Sequence, residues 1–507
     1  MAIRLYSLIS VGFRTIFSEA GRAFQGGCMA LRVYNTLSRN KEEFRPLHEG
    51  FVGIYVCGPT TYDHPHIGHA KSYVSFDVVV RYLRYLDYKV RYVQNITDVG
   101  HLTDDADQGE DKIEKRAAAE RIEPMELVEI YMRSYFEDMD ALGNLRPDIS
   151  PRASGHIPEQ IELIKVLLDK GYAYEVGGSV YFSVERFGGY GKLSGRRFED
   201  QWEAVRIAPN PEKRHPADFA LWKRAEPGHI LRWPSPWGWG YPGWHLECSV
   251  MSMKYLGETL DIHGGGMENI FPHHECEIAQ SEAATGKPFV RYWMHNNMVT
   301  VGGTKMGKSL GNFVTIKEAL KSYSPMVLRF FILNSHYRSP VDYTEEALRA
   351  AQGGWERLRT VVWAVRDHLR YVSEGPEDPG LADAVQRCER AFSEAMDDDF
   401  NTPGALAALF ELAREVHARL ESGTPSKVSL EKVEGLYSRL AGDVLGFKFE
   451  ETSGGREEAL LDLLVEVRAE LRKAKYWELA DRIRKRLRDL GVVLEDRPEG
   501  TVWRRYG

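Results

Sequence analysis

The segment around His66-Ile67-Gly68-His69 most constrains the fold, because it joins a strand-like run to a helix-like run. The apolar stretch 52–57 (VGIYVC) predicts a short buried strand that ends at the turn 58–61 (GPTT). From 70 to 86, apolar residues recur with helical spacing. Both histidines are therefore predicted at a helix N-terminus, where backbone N–H groups and the helix dipole favour anions. Imidazoles can donate hydrogen bonds to phosphate oxygens, and Gly68 would let a nucleotide approach the backbone closely.

A second motif, Lys305-Met306-Gly307-Lys308-Ser309, follows Gly302-Gly303 far along the chain. It predicts a loop that carries two ammonium groups, which suit a transition state with negative charge on a transferring phosphoryl group. Taken alone, the first motif could be two solvated histidines beside a turn, and the second an ordinary basic surface loop.

Strand and helix signals alternate over 31–98 and again over 242–300. Such alternation predicts an α/β fold with a Rossmann-like parallel sheet, in which ligands bind beyond the carboxyl ends of the strands. A helix is expected from His273. The region 345–445 is helical in pattern, with a loop and helix N-cap signal at 397–403. Two segments are predicted to lack regular structure: 233–244 as an ordered loop and 450–458 as a polar linker. The chain is predicted to close with a short apolar and turn segment at 492–503.

The domain boundaries are predicted from these changes in pattern and from family resemblance. A parallel-sheet catalytic domain would be interrupted by a connective insertion and followed by an α-helical bundle and a small C-terminal domain. The expected segments are 1–28 (an N-terminal extension), 29–99 and 242–308 (the two halves of the parallel-sheet domain), 100–241 (the insertion), 309–344 (a linking segment), 345–449 (the bundle) and 450–507 (the small C-terminal domain).

The two motifs together resemble the HIGH and KMSKS signatures of class I aminoacyl-tRNA synthetases. The resemblance implies that His66 and His69 hold the phosphates of ATP, beside Gly68, and that Lys305 and Lys308 clamp them in the transition state. Mg²⁺ should accompany ATP. Gly307 replaces the middle serine of the second signature, which removes one hydroxyl near the phosphates.

Four potential metal ligands accompany the first motif: Cys57, Cys248, His273 and Glu277. On a helix, His273 and Glu277 would share one face, and two thiolates, one imidazole and one carboxylate form a plausible zinc set. Buried cysteines beside a solvated helix face are the alternative. His274 could replace His273, although its partner one turn later would be Ile278. Cys276 lies off this face and is interpreted as a spectator.

The segments YVCGPT, PGWHLECS, DIHGGG, FPHHECEIAQ, DDDFNTP and LEDRPEGTVWRR closely resemble the cysteinyl-tRNA synthetase family, over nearly the whole chain. The resemblance implies that Cys57, Cys248, His273 and Glu277 hold one Zn²⁺, which the thiolate of substrate L-cysteine joins. Zinc prefers a soft thiolate to a hydroxyl, so it would reject serine without a separate editing site.

The same resemblance assigns further contacts. Thr60, Trp244 and His263 would surround the amino acid. Arg472, Asp481 and Asp496 would contact the anticodon of tRNA(Cys), supported by Trp477 and Trp503. Core packing and a solvated charged helix are the respective alternatives. Lys112 and Lys115 also resemble a lysine pair used by persulfide-forming members with pyridoxal phosphate, but a charged helix face is the preferred interpretation.

Composition limits the cellular compartment and the membrane association expected for this protein. Five scattered cysteines among 507 residues argue against a disulfide framework and fit a reducing compartment. No apolar run approaches the roughly 20 residues of a membrane span. The net charge of −8 leaves room for local basic patches that bind tRNA. A cytoplasmic location is therefore expected, and the family resemblance implies a monomer. Residues 1–28 are interpreted as upstream of a true start at Met29, with an organelle transit peptide as the alternative.

Two rival functions remain at this point. A related family joins cysteine to an amino sugar with the same activation chemistry, but it lacks a C-terminal extension such as 450–505. A catalytically inactive RNA-binding paralogue is the other rival, and the intact histidines, lysines and metal ligands argue against it.

Overall fold

A computed structural model describes residues 30–100, 102, 111–196, 210–307, 310–423, 425–449, 454–497 and 500–505. The predicted N-terminal extension 1–28 and Lys308 lie outside these described residues. The chain divides into two units that meet between Phe447 and Lys448, and each unit is described by itself.

Strands and helices alternate through the first unit. Its strands are β1 (Arg32–Asn35), β2 (Asn40–Glu43), β3 (Phe51–Val56), β4 (Lys89–Gln94), β5 (Ala173–Val176), β6 (Ser179–Phe182), β7 (Phe219–Arg224), β8 (Trp233–Ser235), β9 (Gly238–Pro242), β10 (Leu260–Gly266), β11 (Val290–Asn296), β12 (Val299–Val301), β13 (Thr304–Lys305) and β14 (Val341–Asp342). Its α-helices are α1 (Ile67–Tyr85), α2 (Lys112–Glu120), α3 (Pro124–Ala141), α4 (Ile157–Asp169), α5 (Trp244–Leu256), α6 (Glu275–Thr285), α7 (Ile316–Ala319), α8 (Pro325–Leu333), α9 (Glu345–Leu369), α10 (Pro379–Asp397), α11 (Thr402–Ser422) and α12 (Lys427–Tyr437).

The centre of the first unit is a four-stranded parallel sheet in the order β11–β10–β3–β4. Its strands pair in register over long stretches, with Ile54 opposite Tyr92 on one side and opposite Ile262 on the other. Almost every residue of β3 and β10 is buried, as expected for strands covered on both faces. The predicted strands near 52–57 and 89–96 are confirmed, each ending one or two residues early.

The insertion between the halves of this sheet contains a five-stranded antiparallel sheet in the order β5–β6–β7–β9–β8. The prediction of a loop over 233–244 was wrong, because β8 and β9 form a hairpin there and α5 begins at Trp244. Gly238 makes the turn possible at a φ of +106°. Gly240 lets β9 approach β7, since a Cβ there would lie 2.2 Å from the carbonyl oxygen of Lys223.

The helices α9 to α12 form the last part of the first unit. The loop and N-cap signal at 397–403 is confirmed: α10 ends at Asp397, and Asn401 caps α11 by accepting a hydrogen bond from the N–H of Gly404. Asp397 accepts a hydrogen bond from the hydroxyl of Tyr82 on α1, which ties this loop to the catalytic sheet's first helix.

The second unit consists of α13 (Gly454–Lys473), α14 (Trp477–Asp489), β15 (Val492–Arg497) and β16 (Gly500–Arg505). One prediction was wrong here, because residues 454–458 belong to α13 rather than to a linker. The apolar and turn segment predicted at 492–503 forms most of an antiparallel hairpin. The hairpin covers the helices through a small core of Leu461, Leu487, Val492 and Leu494. Among the described residues of both units, no helix combines the length and apolarity needed to cross a bilayer.

Candidate active site

The two histidines of the first motif cap helix α1. Nδ1 of His66 accepts a hydrogen bond from the N–H of Gly68 at 3.0 Å, and Nδ1 of His69 accepts one from the N–H of His66 at 3.1 Å. The rings stack with centroids 3.9 Å apart. Because each Nδ1 accepts, a neutral ring carries its proton on Nε2, which is therefore a donor nitrogen suited to a phosphate oxygen.

Gly68 is required by this cap. A Cβ at Gly68 would lie 2.7 Å from Cε1 and 2.8 Å from Nδ1 of His66, and 3.6 Å from Cε of Met306. The second motif therefore packs directly against the first.

Lys305 reaches the same place from the short antiparallel pair β12–β13, where it lies opposite Thr300. Its side chain is exposed. Lys308, the other predicted ammonium group, lies outside the described residues.

A cavity of about 360 Å³ opens beside these motifs at the carboxyl ends of the parallel strands. Most predicted site residues line it: Cys57, Thr60, His66, Gly68, His69, Trp244, Cys248, His273 and Lys305. His263 and Glu277 are not among its lining residues. The structure thus places the described phosphate-binding candidates and three of the four metal-binding candidates around one space.

The metal candidates converge at one end of this cavity. Sγ of Cys57 and Sγ of Cys248 are 4.0 Å apart, and donor atoms of Cys57, His273, His274 and Glu277 all lie within 4.8 Å of one another. Two thiolates on a tetrahedral zinc with bonds of about 2.3 Å would be roughly 3.8 Å apart. The residues present therefore fit a zinc ion in both donor type and spacing.

Both adjacent histidines approach this group. Nε2 of His273 lies 3.0 Å from Oε1 of Glu277, and Nε2 of His274 lies 3.2 Å from Sγ of Cys57. The predicted helix from His273 is present, but its first residues belong to an irregular π-type turn over Ile270–His274 that leads into α6 at Glu275. That turn brings two imidazoles, rather than one, toward the same carboxylate, so His274 remains an alternative ligand.

Buried charge dominates the electrostatics of the group. Burial raises the pKa of Glu277, but the positive charges of His263 and His273 outweigh it and lower the pKa to about 2. A hydrogen bond from Cys57 lowers the pKa of the Cys248 thiol to about 6 against the effect of burial, while burial raises that of Cys57. An anionic Cys248 and an anionic Glu277 are therefore favoured at neutral pH, whereas the raised pKa of Cys57 favours its neutral thiol.

Trp244 and His263 hold the metal candidates from different sides. The ring of Trp244 stacks on His273 with centroids 4.2 Å apart and also lines the cavity. Nε2 of His263 lies 2.8 Å from Oε2 of Glu277, and its fully buried ring stacks on Trp293. The structure therefore places His263 behind Glu277 and away from the space predicted for the amino acid.

Sequence reasoning missed other cavity residues, including Asn95, Glu268 and Asn296. Asn95 accepts a hydrogen bond from the N–H of Gly58 at 2.8 Å and so supports the turn after β3. All three lie at or just past the carboxyl end of a strand of the parallel sheet. The general rule that ligands bind at these ends was the signal that could have found them.

In the second unit, Asp496 joins three arginines. Arg468 binds both of its carboxylate oxygens, at 2.8 and 3.0 Å, and Arg472 binds one at 2.7 Å, with Arg484 3.8 Å away. Hydrogen bonding to Arg468 holds the pKa of Asp496 well below its usual range. The structure brings Arg472 and Asp496 together, whereas Asp481 and Trp477 lie exposed on α14. The Nε1–H of Trp503 donates to Asp462.

Comparison with known proteins shows which protein family the chain resembles. Residues 43–353 match the model described as the tRNA synthetases class I (C) catalytic domain, and residues 391–450 match the DALR domain. A cysteine–tRNA ligase of Chlorobium chlorochromatii is 57% identical over 484 residues, covering 94% of this chain and 99% of that protein. One from Thermus thermophilus is 53% identical over 481 residues, with the same coverage.

Solved structures show the same fold at much lower identity. A Mycobacterium tuberculosis methionyl-tRNA synthetase in complex with methionyl-adenylate matches with a TM-score of 0.55 at 15% identity, covering 82% of this chain and 94% of that one. A putative Campylobacter jejuni arginyl-tRNA synthetase matches with a TM-score of 0.52 at 13% identity, covering 80% and 94%. The fold is that of a class I synthetase.

The chain belongs to the cysteine–tRNA ligase family, and it is a class I aminoacyl-tRNA synthetase. The predicted family, enzyme class and α/β fold class are confirmed.

Proposed function

We propose that this enzyme ligates L-cysteine to tRNA(Cys) in two steps, through a cysteinyl-adenylate, and that zinc selects the substrate thiolate. One observation supports the proposal: three of the four metal candidates and described residues of both signature motifs line a single cavity. A thiol bound at one end would direct the rest of a cysteine molecule toward phosphates held at the other.

In the first step, the carboxylate of cysteine attacks the α-phosphate of ATP and pyrophosphate leaves. His66 and His69 would donate hydrogen bonds from Nε2 to phosphate oxygens at the N-terminus of α1. Lys305 would neutralise the charge that develops on the phosphates, together with Lys308, and Mg²⁺ would accompany ATP. In the second step, a terminal ribose hydroxyl of tRNA attacks the adenylate's carbonyl carbon and AMP leaves.

Cys57, Cys248, His273 and Glu277 would hold the zinc ion, with His274 as the alternative imidazole. When bound, zinc supplies selective affinity for a thiolate over the hydroxyl of serine. His263 would hold the carboxylate of Glu277 in place, and the ring of Trp244 would fix the plane of His273. Thr60, just past β3, would contact the amino acid.

The remaining assignments concern the contacts with tRNA, the cellular location and the oligomeric state. Arg472, Asp481 and Asp496 would contact the anticodon, although Asp496 already holds Arg468 and Arg472. Exposed Trp477 offers a face on which a base could stack. A cytoplasmic monomer remains the proposed state.

Cysteine-dependent ATP–pyrophosphate exchange tests the first step, with serine as competitor and with zinc stripped and restored. Charging of tRNA(Cys) by the same preparation tests the second. Zinc-dependent exchange with cysteine, followed by charging, is the expected result. Exchange without charging would support the amino-sugar ligase, and a zinc-loaded protein that performs no exchange would support the inactive paralogue.

A further inference from the structure

The backbone that carries Lys305 is fixed on one side by a turn. Gly302 and Gly303 form the turn of the β12–β13 pair, both at positive φ. Oδ1 of Asp342 accepts hydrogen bonds from the N–H of Gly303 at 2.9 Å and from Oγ1 of Thr300 at 2.6 Å. These two hydrogen bonds fix the backbone just before Lys305, but neither of them involves Met306 or Gly307.

On the other side, the N–H of Leu310 donates to the carbonyl of Gly307 at 3.1 Å, and a single side chain makes both described side-chain hydrogen bonds to this segment. Oδ1 of Asn312 accepts from the N–H of Gly307 at 2.9 Å, and Nδ2 of Asn312 donates to the carbonyl of Lys305 at 3.2 Å. One amide thus binds a donor and an acceptor two residues apart, a pattern that restricts the backbone dihedrals between them.

Asn312 is itself held against the first motif. The ring of Phe313, its neighbour, packs edge-on against His66 with centroids 5.2 Å apart. Val314 accepts a hydrogen bond from the N–H of Ile67 at 3.1 Å, and Thr315 forms a β-bridge with His66. The position of Asn312 is therefore set by the helix cap that presents the two histidines.

We propose that Asn312 is a positioning residue that couples the two signature motifs: its amide fixes the backbone of Lys305–Gly307 relative to His66. Lys305 and Met306 then face the cavity, with Met306 against Gly68. Because Gly307 has no side chain of its own to hold the segment, the amide of Asn312 supplies the restraint. This inference rests on the proposed function, in which Lys305 acts on ATP.

The first measurement does not depend on catalysis. Trypsin cleaves after lysine, and mass spectrometry can follow cleavage of the Lys305–Met306 bond in the full-length protein. Asn312→Ala should accelerate this cleavage roughly tenfold, the size expected for losing two neutral hydrogen bonds. Asn312→Asp keeps the acceptor for Gly307 and loses the donor to Lys305, so its rate should be intermediate. Asn40→Ala is the matched control, because Asn40 is an exposed asparagine that donates only to Ser38 among its described contacts.

The second measurement is kinetic. In cysteine-dependent exchange, Asn312→Ala should lower kcat/KM for ATP roughly tenfold and leave the KM for cysteine unchanged, with Asn312→Asp between it and the wild type. Wild-type cleavage and kinetics in Asn312→Ala would overturn the proposal, as would an equal loss in Asn40→Ala or a parallel rise in the KM for cysteine. If the wild-type protein performs no exchange, the proposed function fails, and the cleavage rates alone decide the role of Asn312.

Discussion

The two ends of the cavity are built differently. At the metal end, His263, His273 and Glu277 are almost fully buried, and each packs against other rings or charges. At the phosphate end, Lys305 is exposed and is carried by a two-residue strand. Buried charges held by neighbours are positioned before a substrate arrives, which suits selection of a thiol. An exposed cation can instead meet negative charge as it develops, which suits transition-state stabilisation.

Removing a metal ligand should produce the largest effect. Cys248→Ser should abolish stoichiometric zinc binding and lower exchange at least ~100-fold, since even residues that only support metal ligands are worth that much. Zinc content measured by atomic emission and exchange rates measured on the same sample provide the check.

Cys276→Ser is the matched control, because Cys276 is a buried thiol next to Glu277 in sequence whose Sγ lies 3.4 Å from the hydroxyl of Tyr190, whereas Sγ of Cys248 lies 4.0 Å from that of Cys57. Stoichiometric zinc in Cys248→Ser, or zinc loss in Cys276→Ser alone, would contradict the assignment of the metal end.

A substitution at the phosphate end should lower the reaction rate and leave the binding of cysteine unchanged. Lys305→Ala should lower kcat for exchange roughly 30- to 1000-fold, corresponding to about 2–4 kcal/mol of lost transition-state stabilisation. Zinc content should not change.

Lys321→Ala, which removes another exposed lysine, is the control. If Lys305→Ala raised only the KM for ATP and left kcat unchanged, Lys305 would bind the ground state and the contrast between the two ends would weaken.

Gly68 tests the contact between the two motifs. In Gly68→Ala, the new methyl group would lie 2.7 Å from the ring of His66, so the ring must leave its capping position. We expect a loss of about 1 kcal/mol in stability from the disrupted cap and a several-fold lower kcat/KM for ATP. Gly155→Ala is the control, because a Cβ at Gly155 meets nothing within 4 Å. Thermal unfolding and exchange kinetics measure both effects, and equal behaviour of the two variants would refute the role of the cap.

Local features of the site could be predicted from sequence, because they depend on neighbouring residues. The strand before Cys57, the helix after His69 and the cap at Asn401 follow from apolar spacing and turn residues. The contribution of Glu268 and Asn296 could not be predicted, because it depends on where distant strands end in a common sheet.

The errors have physical causes of the same kind. The β8–β9 hairpin escaped prediction because its tryptophan, proline and glycine residues are typical of loops, whereas pairing with β7 decides the structure. The choice between His273 and His274 rested on an ideal helix, but the turn before α6 is irregular and presents both rings. Asp496 was assigned to the anticodon from family resemblance, and its partners Arg468 and Arg472 become visible only when the β15–β16 hairpin packs against α13.

Asp496 belongs to a charge cluster that is partly exposed, unlike the metal end of the cavity. Its substitution should have the smallest effect of these changes. Arg468 is 1% exposed and would lose its partner in Asp496→Asn. Because Asp496 itself is 33% exposed, the expected loss of stability in the second unit is about 1–2 kcal/mol, below that of a fully buried pair. Hydrogen exchange of residues 454–505 would measure it, with Asp489→Asn, at the exposed end of α14, as the control.

The stability that the Asp496 carboxylate gives to the second unit should decrease at low pH. The folded-state pKa of Asp496 lies below its usual range of about 4, so the charged carboxylate stabilises the unit above that pH. The stabilisation should disappear as the pH falls from about 4 toward the folded-state pKa, and Asp496→Asn should lack this dependence. Exchange of ATP and pyrophosphate should stay unchanged in the variant, since the cavity lies in the first unit. A variant with full stability at neutral pH but impaired tRNA charging would instead assign Asp496 to the anticodon.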